Sequence, residues 1–231
     1  MKSKEIILVL DFDGVICNSI HECLITSYNA FYETRVNNFS EIPNNVKNYF
    51  YKYRFYVRPA NEYYLVHKAY QKRLIDFDYK TFCQLKSKYN KEIKLFEKRF
   101  FSERVYLRKN KERWLSLHRM YDHVKDFFRL YKKKFFIVTT KDKSSVEMLS
   151  EYFGLGDFIW DVFSKELSTK KNDLFNILFR NYEKEVKNKQ LVYVDDNEWH
   201  LGDIQRLDVK LFFANWGYSG KQVQHSFKAI R

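Results

Sequence analysis

Ile6-Ile7-Leu8-Val9-Leu10-Asp11-Phe12-Asp13-Gly14-Val15 is the stretch on which the reading of this chain turns. The unbroken apolar run from Ile6 to Leu10 fits a strand buried on both faces of a parallel sheet. Two carboxylates, Asp11 and Asp13, follow at once. Open α/β sheets bind ligands beyond the carboxyl ends of their strands, so both acids fall where a ligand is expected. Gly14 lets the backbone turn out of the sheet and lets another group approach closely. Two acids this close repel each other, and a cation or a chemical task is the reason to keep both. For the pair taken alone, a strand ending in an acidic turn is an equally good account.

Outward from this stretch, Ile20, Cys23, Leu24, Ser27, Tyr28 and Phe31 recur at helical spacing, with Asn18 or Ser19 placed to cap them. Then the composition shifts. Residues 32 to about 118 are rich in Tyr, Phe, Lys and Arg and hold both prolines, Pro43 and Pro59. The spacing predicts helices over 61–75 and 79–101. From about residue 119, helices and strands alternate. Apolar runs at 135–138, 158–163, 191–194 and 210–214 read as strands, and helical patterns fall at 143–153, 171–186 and 202–207. Gly154 stands where a helix would end. Such alternation indicates an α/β fold with a parallel sheet. Its first strand is separated from the rest by a helical insert, giving a discontinuous domain, 1–17 and 119–231, around a second domain, 18–118.

The composition supports a packed interior: 45% of the 231 residues are hydrophobic, and only 6 Gly and 2 Pro argue against a disordered or loop-dominated chain. Lys and Arg number 42 against 29 Asp and Glu, a formal net charge of +13. That balance suits anionic ligands and does not exclude nucleic acid as a partner, although a general preference for Lys, Tyr, Phe and Asn is the better account of it. Cys17, Cys23 and Cys83 show no metal-ligand spacing, and a reduced compartment is the simplest account. The first apolar run is too short for a signal peptide, and no stretch is long enough to span a membrane. The expectation is a cytoplasmic protein without a membrane partner. Its oligomeric state is open.

Three of the apolar runs end in polar groups: Asp11 and Asp13 after the first, Thr139 and Thr140 after Phe135–Val138, and Asp195 and Asp196 after Leu191–Val194. Lys170 and Lys171 precede the helix that leads into the third. In a parallel sheet these ends share one edge, so the groups can converge. Carboxylates hold a hard cation, and a cation, a hydroxyl and an ammonium together hold a phosphoryl group.

Asp11-Phe12-Asp13-Gly14-Val15, Val138-Thr139, Lys171 (or Lys170) and Val194-Asp195-Asp196-Asn197 stand in the order and register of the haloacid dehalogenase superfamily. The chain resembles its phosphoglycolate phosphatase and β-phosphoglucomutase branch, including an Asn-Trp-Gly-Tyr tail at 215–218. The resemblance implies a Rossmann-like three-layer core with an inserted α-helical cap, and a Mg²⁺-dependent phosphatase acting on a small phosphorylated metabolite through an aspartyl-phosphate. It implies Asp11 as nucleophile and Asp13 as general acid and base. Thr139 would hold a phosphoryl oxygen and Lys171 would neutralise charge, with Lys170 as the adjacent alternative. Asp11, the Asp13 carbonyl, Asp196 and, less securely placed, Asp195 would bind Mg²⁺.

Two departures from the pattern bear on this. Many relatives have Gly where Asp195 stands and a second Asp where His200 stands. His200 is read as a surface or packing residue. The mutase-type cap histidine is replaced by Cys23, which counts against a phosphomutase, the alternative on the same scaffold. Retention of Asp13 favours phosphoryl over carbon–halogen chemistry. In the insert, Arg54 and Arg58 are candidates for an anionic substrate, weighed against pairing with Glu62. A reading of a different class makes the basic, aromatic insert a nucleic-acid or anionic-surface binder.

Overall fold

An apolar run stays together as a strand when both faces are covered, and in β1 (Ile6–Leu10) Ile7, Val9 and Leu10 are buried. In the computed structural model, which describes residues 5–218 and 227–230, the chain forms two units, Met1–Asn18 with Arg119–Arg231, and Ser19–His118. After β1, the first segment ends in β2 (Cys17–Asn18). The helical unit follows with α1 (Ile20–Tyr32), α2 (Asn44–Tyr53), α3 (Tyr63–Gln71), α4 (Tyr79–Lys88), α5 (Asn90–Arg108) and α6 (Lys111–Ser116). The chain returns through β3 (Arg119–Met120), antiparallel to β2. It then runs α7 (Asp122–Leu130), β4 (Phe135–Val138), α8 (Lys143–Tyr152), β5 (Ile159–Phe163), α9 (Lys171–Asn181), α10 (Glu183–Val186), β6 (Gln190–Asp195), α11 (Glu198–Ile204), β7 (Val209–Ala214) and β8 (Lys228–Ile230).

Six strands form one parallel sheet in the order β5-β4-β1-β6-β7-β8. The chain leaves β1 toward β4 on one side and returns to β6 on the other, so the order reverses at β1, the place where such sheets bind ligands. Leu10 is in register with Ile137 and Val194, which brings the polar residues after β1, β4 and β6 out along one edge. On one face, Ile7, Val9, Phe136, Val138, Leu191 and Phe213 alternate along the strands. They meet Leu174, Phe175 and Leu178 of α9 and Leu201 and Ile204 of α11. Each such fully buried Leu or Phe contributes about 1.5–3 kcal/mol. This packing anchors the helix start that carries Lys171.

The sequence pattern misplaced several boundaries. The helix expected over 79–101 breaks at Tyr89 into α4 and α5; Asn90, a residue that suits helix starts, stands at the break. The helix expected over 61–75 ends at Gln71, before Arg73 with φ 55°. The helix expected over 171–186 breaks at Tyr182, whose ring packs on Phe136 and whose hydroxyl donates to Asp161. The helix expected at 202–207 starts at Glu198, because the Asn197 side chain accepts from the Trp199 and His200 amides. Strands β2, β3 and β8 are too short for a period to show in sequence.

The helical unit is built on rings. Phe50 stacks on Tyr63 at 5.3 Å and Tyr63 on Phe100 at 5.7 Å. At its centre α1 and α5 are joined by a buried ion pair. Arg104 donates through Nε to Glu22 Oε1 (2.8 Å) and through Nη2 to Oε2 (3.0 Å), and Thr26 donates to Oε1 (2.8 Å). Nearby, His67 is buried with its Nε2 2.9 Å from Ser27 Oγ.

Candidate active site

Asp11 continues β1, its amide donating to Val194 O at 3.0 Å. Its carboxyl is 5% exposed, and its Oδ1 lies 3.1 Å from Lys171 Nζ. Oδ1 nevertheless accepts no hydrogen bond among the described residues. Burial raises the carboxyl above its ordinary pKa; Lys171 and the Thr139 hydroxyl oppose that, and Asp195 adds to it. Thr139 is buried at the end of β4, tied back by its amide to Phe163 O at 2.9 Å.

Lys171, at the first residue of α9, is fully buried. Its ammonium donates to Val138 O at 2.7 Å and stands 3.1 Å from both Asp11 Oδ1 and Asp195 Oδ2. Asp195 is saturated: Tyr193 Oη and His200 Nδ1 (3.2 Å) also meet its Oδ2, and the Asn197 amide donates to Oδ1 at 2.8 Å. Burial opposes its charge, but Lys171 and His200 outweigh that and hold the carboxyl well below the usual range. Atoms of Asp11, Asp195 and His200 lie within 4.8 Å of one another, a spacing compatible with a metal ion. The Lys171 ammonium already stands between the two carboxylates of this cluster, 3.1 Å from each.

Asp196 lies in a cradle of glycines. A Cβ on Gly14 would stand 2.3 Å from Asp196 Oδ2, and one on Gly217 would stand 2.3 Å from Asp196 Cβ. Gly14 also has φ +87°, where other residues are strained. The Tyr218 amide donates to Asp196 Oδ2 at 2.6 Å. The tail turn is itself fastened: Trp216 Nε1 donates to Val15 O (3.1 Å) and the Tyr218 hydroxyl to Cys17 O (3.3 Å). The cradle therefore packs Asp196 against the backbone just after Asp13. Asp11 Oδ1, a buried oxygen without a hydrogen bond, and the Asp196 carboxylate are oxygen donors of the kind that suits a hard divalent cation.

Asp13 has a partner that the sequence reading missed. Lys141 Nζ is 3.1 Å from each Asp13 carboxylate oxygen, and Lys141 is only 4% exposed. Its amide donates to Thr139 Oγ1 at 3.2 Å. In Lys141-Asp142-Lys143 nothing local marks one lysine as buried; Asp142 is spent capping α8 through the Ser145 amide at 3.0 Å.

Other candidates fall elsewhere. Lys170 is exposed, with its backbone amide on Ser168 Oγ at 3.1 Å, so of the two lysines only Lys171 joins the carboxylates. Thr140 is half-buried beside Thr139. Within the helical unit, Arg54 is buried, donating to Val57 O at 3.0 Å with its guanidinium 5.1 Å from the Tyr63 ring centroid. Arg58 is half-buried and its amide donates to Glu62 Oε2 at 2.8 Å; the other Glu62 oxygen meets Lys86. His200 is not a surface residue: it is 3% exposed and bonded to Asp195.

A family model described as a haloacid dehalogenase-like hydrolase matches residues 7–202. A search of curated proteins gives no match. Among solved structures, the chain is similar to a haloacid dehalogenase-like family hydrolase from Streptococcus pneumoniae, with 13% identity, TM-score 0.61, and 100% of this chain and 96% of that one covered. It is similar to a predicted phosphoglycolate phosphatase from Haemophilus somnus, with 13% identity, TM-score 0.59, and 94% and 88% covered. It is similar also to Protein Tyrosine Kinase A from Mycobacterium tuberculosis, with 11% identity, TM-score 0.62, and 100% and 95% covered. Identities this low establish a shared fold. No helix among the described residues is long and apolar enough to cross a membrane.

Proposed function

The chain belongs to the haloacid dehalogenase-like hydrolase family, and on that premise we propose that it hydrolyses a small phosphorylated metabolite, of the phosphoglycolate or sugar-phosphate type, at Asp11. The observation that carries this reading is the buried Asp11 carboxylate, which stands 3.1 Å from the Lys171 ammonium yet leaves Oδ1 without a hydrogen bond. A buried polar atom left short of partners calls for an explanation, and a nucleophile is one. In the first step an Asp11 oxygen attacks phosphorus, the ester P–O bond breaks, and Asp13 protonates the departing alkoxide. In the second, Asp13 takes a proton from the water that attacks the aspartyl-phosphate, and inorganic phosphate leaves. Thr139 holds a phosphoryl oxygen, and Lys171 neutralises charge as it develops.

Asp11, the Asp13 carbonyl and Asp196 would hold Mg²⁺, which when bound supplies neutralisation of the phosphoryl oxygens. Asp195 is assigned instead to Lys171, since all its bonding is already spent there and on Tyr193, His200 and Asn197. The helical unit serves as the cap that admits the substrate. The test is release of p-nitrophenol from p-nitrophenyl phosphate with Mg²⁺, before and after chelation. Activity should vanish with EDTA and return with excess Mg²⁺. A protein inert with every divalent cation overturns the proposal.

A further inference from the structure

Tyr193 and His200 are polar residues in places that packing would fill with apolar ones. Tyr193 is fully buried within the cluster between the sheet and α9, its ring edge-on to Phe175 at 5.0 Å. His200, on α11, is 3% exposed beside the fully buried Leu201. Burying a hydroxyl and an imidazole is costly unless both are hydrogen-bonded. The Tyr193 hydroxyl and His200 Nδ1 both meet one atom, Asp195 Oδ2, while the buried Nε2 of His200 has no hydrogen-bond partner among the described residues. Their bonds leave that oxygen with one remaining role, which is to face Lys171 at 3.1 Å.

Lys171 is correspondingly exact in its partners. Its ammonium donates to Val138 O and stands 3.1 Å from one carboxylate oxygen of Asp11 and one of Asp195. Its Nζ also stands 5.4 Å from the centroid of the Tyr193 ring, so Tyr193 supports the cation through its face as well as through Asp195. A flexible four-carbon side chain has no intrinsic direction. Here its direction is set by a carboxylate that cannot rotate, because the Asn197 amide, Tyr193 and His200 hold both oxygens.

We propose that His200 and Tyr193 are positioning residues that act through Asp195 to aim the Lys171 ammonium at Asp11. They touch neither substrate nor reacting atoms. The inference rests on the reading of Asp11 and Lys171 as phosphoryl-transfer groups. Aiming matters most when charge develops, so loss of either residue lowers kcat and leaves KM nearly unchanged.

The experiment is steady-state hydrolysis of p-nitrophenyl phosphate with saturating Mg²⁺ by wild type, His200→Leu, His200→Asn and Tyr193→Phe, with thermal melting as the check on folding. His200→Leu should lower kcat by about 10- to 100-fold, the range for residues that orient a site from behind. His200→Asn, whose side-chain amide reaches the position of Nδ1, should recover most of that loss. Tyr193→Phe keeps the ring and loses the hydroxyl, and should lower kcat by less than His200→Leu. Wild-type kcat in a folded His200→Leu, or failure of a folded His200→Asn to improve on it, overturns the inference. If His200→Leu melts too early to assay, Tyr193→Phe decides, and wild-type kcat in that variant overturns it. Hydrolysis absent from the wild type itself would overturn both this inference and the phosphatase reading, whereas an active wild type with indifferent variants overturns this inference alone.

Discussion

Each unit of the molecule buries a carboxylate against a cation, and the two pairs differ in what they leave undone. In the helical unit, Glu22 and Arg104 are 0% and 2% exposed and meet through two parallel hydrogen bonds, with Thr26 and Cys23 also donating to the carboxylate. In the α/β unit, Asp11 and Lys171 are equally buried, but Asp11 Oδ1 accepts no hydrogen bond and the lysine divides itself between two acids. A satisfied buried pair fastens helices together. An unsatisfied one costs stability and holds an oxygen ready for something that arrives from outside. The guanidinium suits the first task because its fork matches both carboxylate oxygens; the ammonium suits the second because it is a point charge that several acceptors share.

The comparison breaks most visibly if the two carboxylates are neutralised in turn. Asp11→Asn should abolish hydrolysis of p-nitrophenyl phosphate, by roughly 10,000-fold or more, while the melting temperature holds or rises because a buried charge is gone. Glu22→Gln should do the reverse. It strands Arg104 in the interior and should destabilise the protein by about 3–5 kcal/mol, read by urea denaturation, with kcat per folded molecule unchanged. Equal behaviour of the two variants in either assay removes the distinction.

A finer contrast lies between two glycines of the α/β unit. A Cβ on Gly217 would press to 2.3 Å from Asp196 Cβ, whereas one on Gly202, in α11, would meet nothing within 4 Å. Gly217→Ala should displace Asp196 and raise the Mg²⁺ concentration for half-maximal activity about 10- to 100-fold, with a parallel loss in Mn²⁺ binding followed by its electron spin resonance signal. Gly202→Ala should leave both unchanged and add up to ~1 kcal/mol of stability, because alanine favours a helix. Equal metal affinity in the two variants would detach the tail turn from Asp196.

The sheet was legible because its strands are unbroken apolar runs, and a run of Ile6–Leu10 or Phe135–Val138 type has few other uses. Asp11, Thr139, Lys171 and Asp195 were legible for the same reason: each stands at a strand end or helix start that the runs define, and the structure brings these four into one cluster. Lys141 was not, since its burial depends on Asp13 and the fold rather than on its neighbours in sequence. Nor was the bond from His200 to Asp195, which needs the turn capped by Asn197. In the helical unit the pattern blurred because tyrosines serve either face. Tyr89 interrupts a helix there that its spacing continues, and Tyr182 does the same in the α/β unit. Arg54 and Arg58 were candidates for an anionic substrate, weighed against pairing with Glu62; Arg54 donates to Val57 O and the Arg58 amide donates to Glu62.

Two of the buried histidines, His67 and His200, repeat the contrast between the pairs. Burial lowers the pKa of both, but His200 faces Asp195, which pulls it back up. His67 faces Ser27 and the rings of Phe31 and Phe50 at 5.3 and 5.8 Å, and burial alone pushes it down to about 3 from an ordinary 6.5. In the unfolded chain His67 takes up its proton near pH 6.5; in the folded chain it stays neutral until about pH 3. Over that window the unfolded state binds more protons, so stability rises with pH. The neutral ring's contribution is complete above pH 6.5 and erodes as the pH falls toward 3. At pH 5 the loss amounts to about 2 kcal/mol, from 1.36 kcal/mol for each unit below the unfolded value. His67→Phe keeps a ring in the cluster and removes the titration. Urea denaturation at pH 7 and pH 5 should show wild type losing about 2 kcal/mol more than the variant between the two. Carboxylates that also titrate in this range cancel in the difference, so an equal loss in both proteins would mean that His67 takes up a proton without leaving the fold.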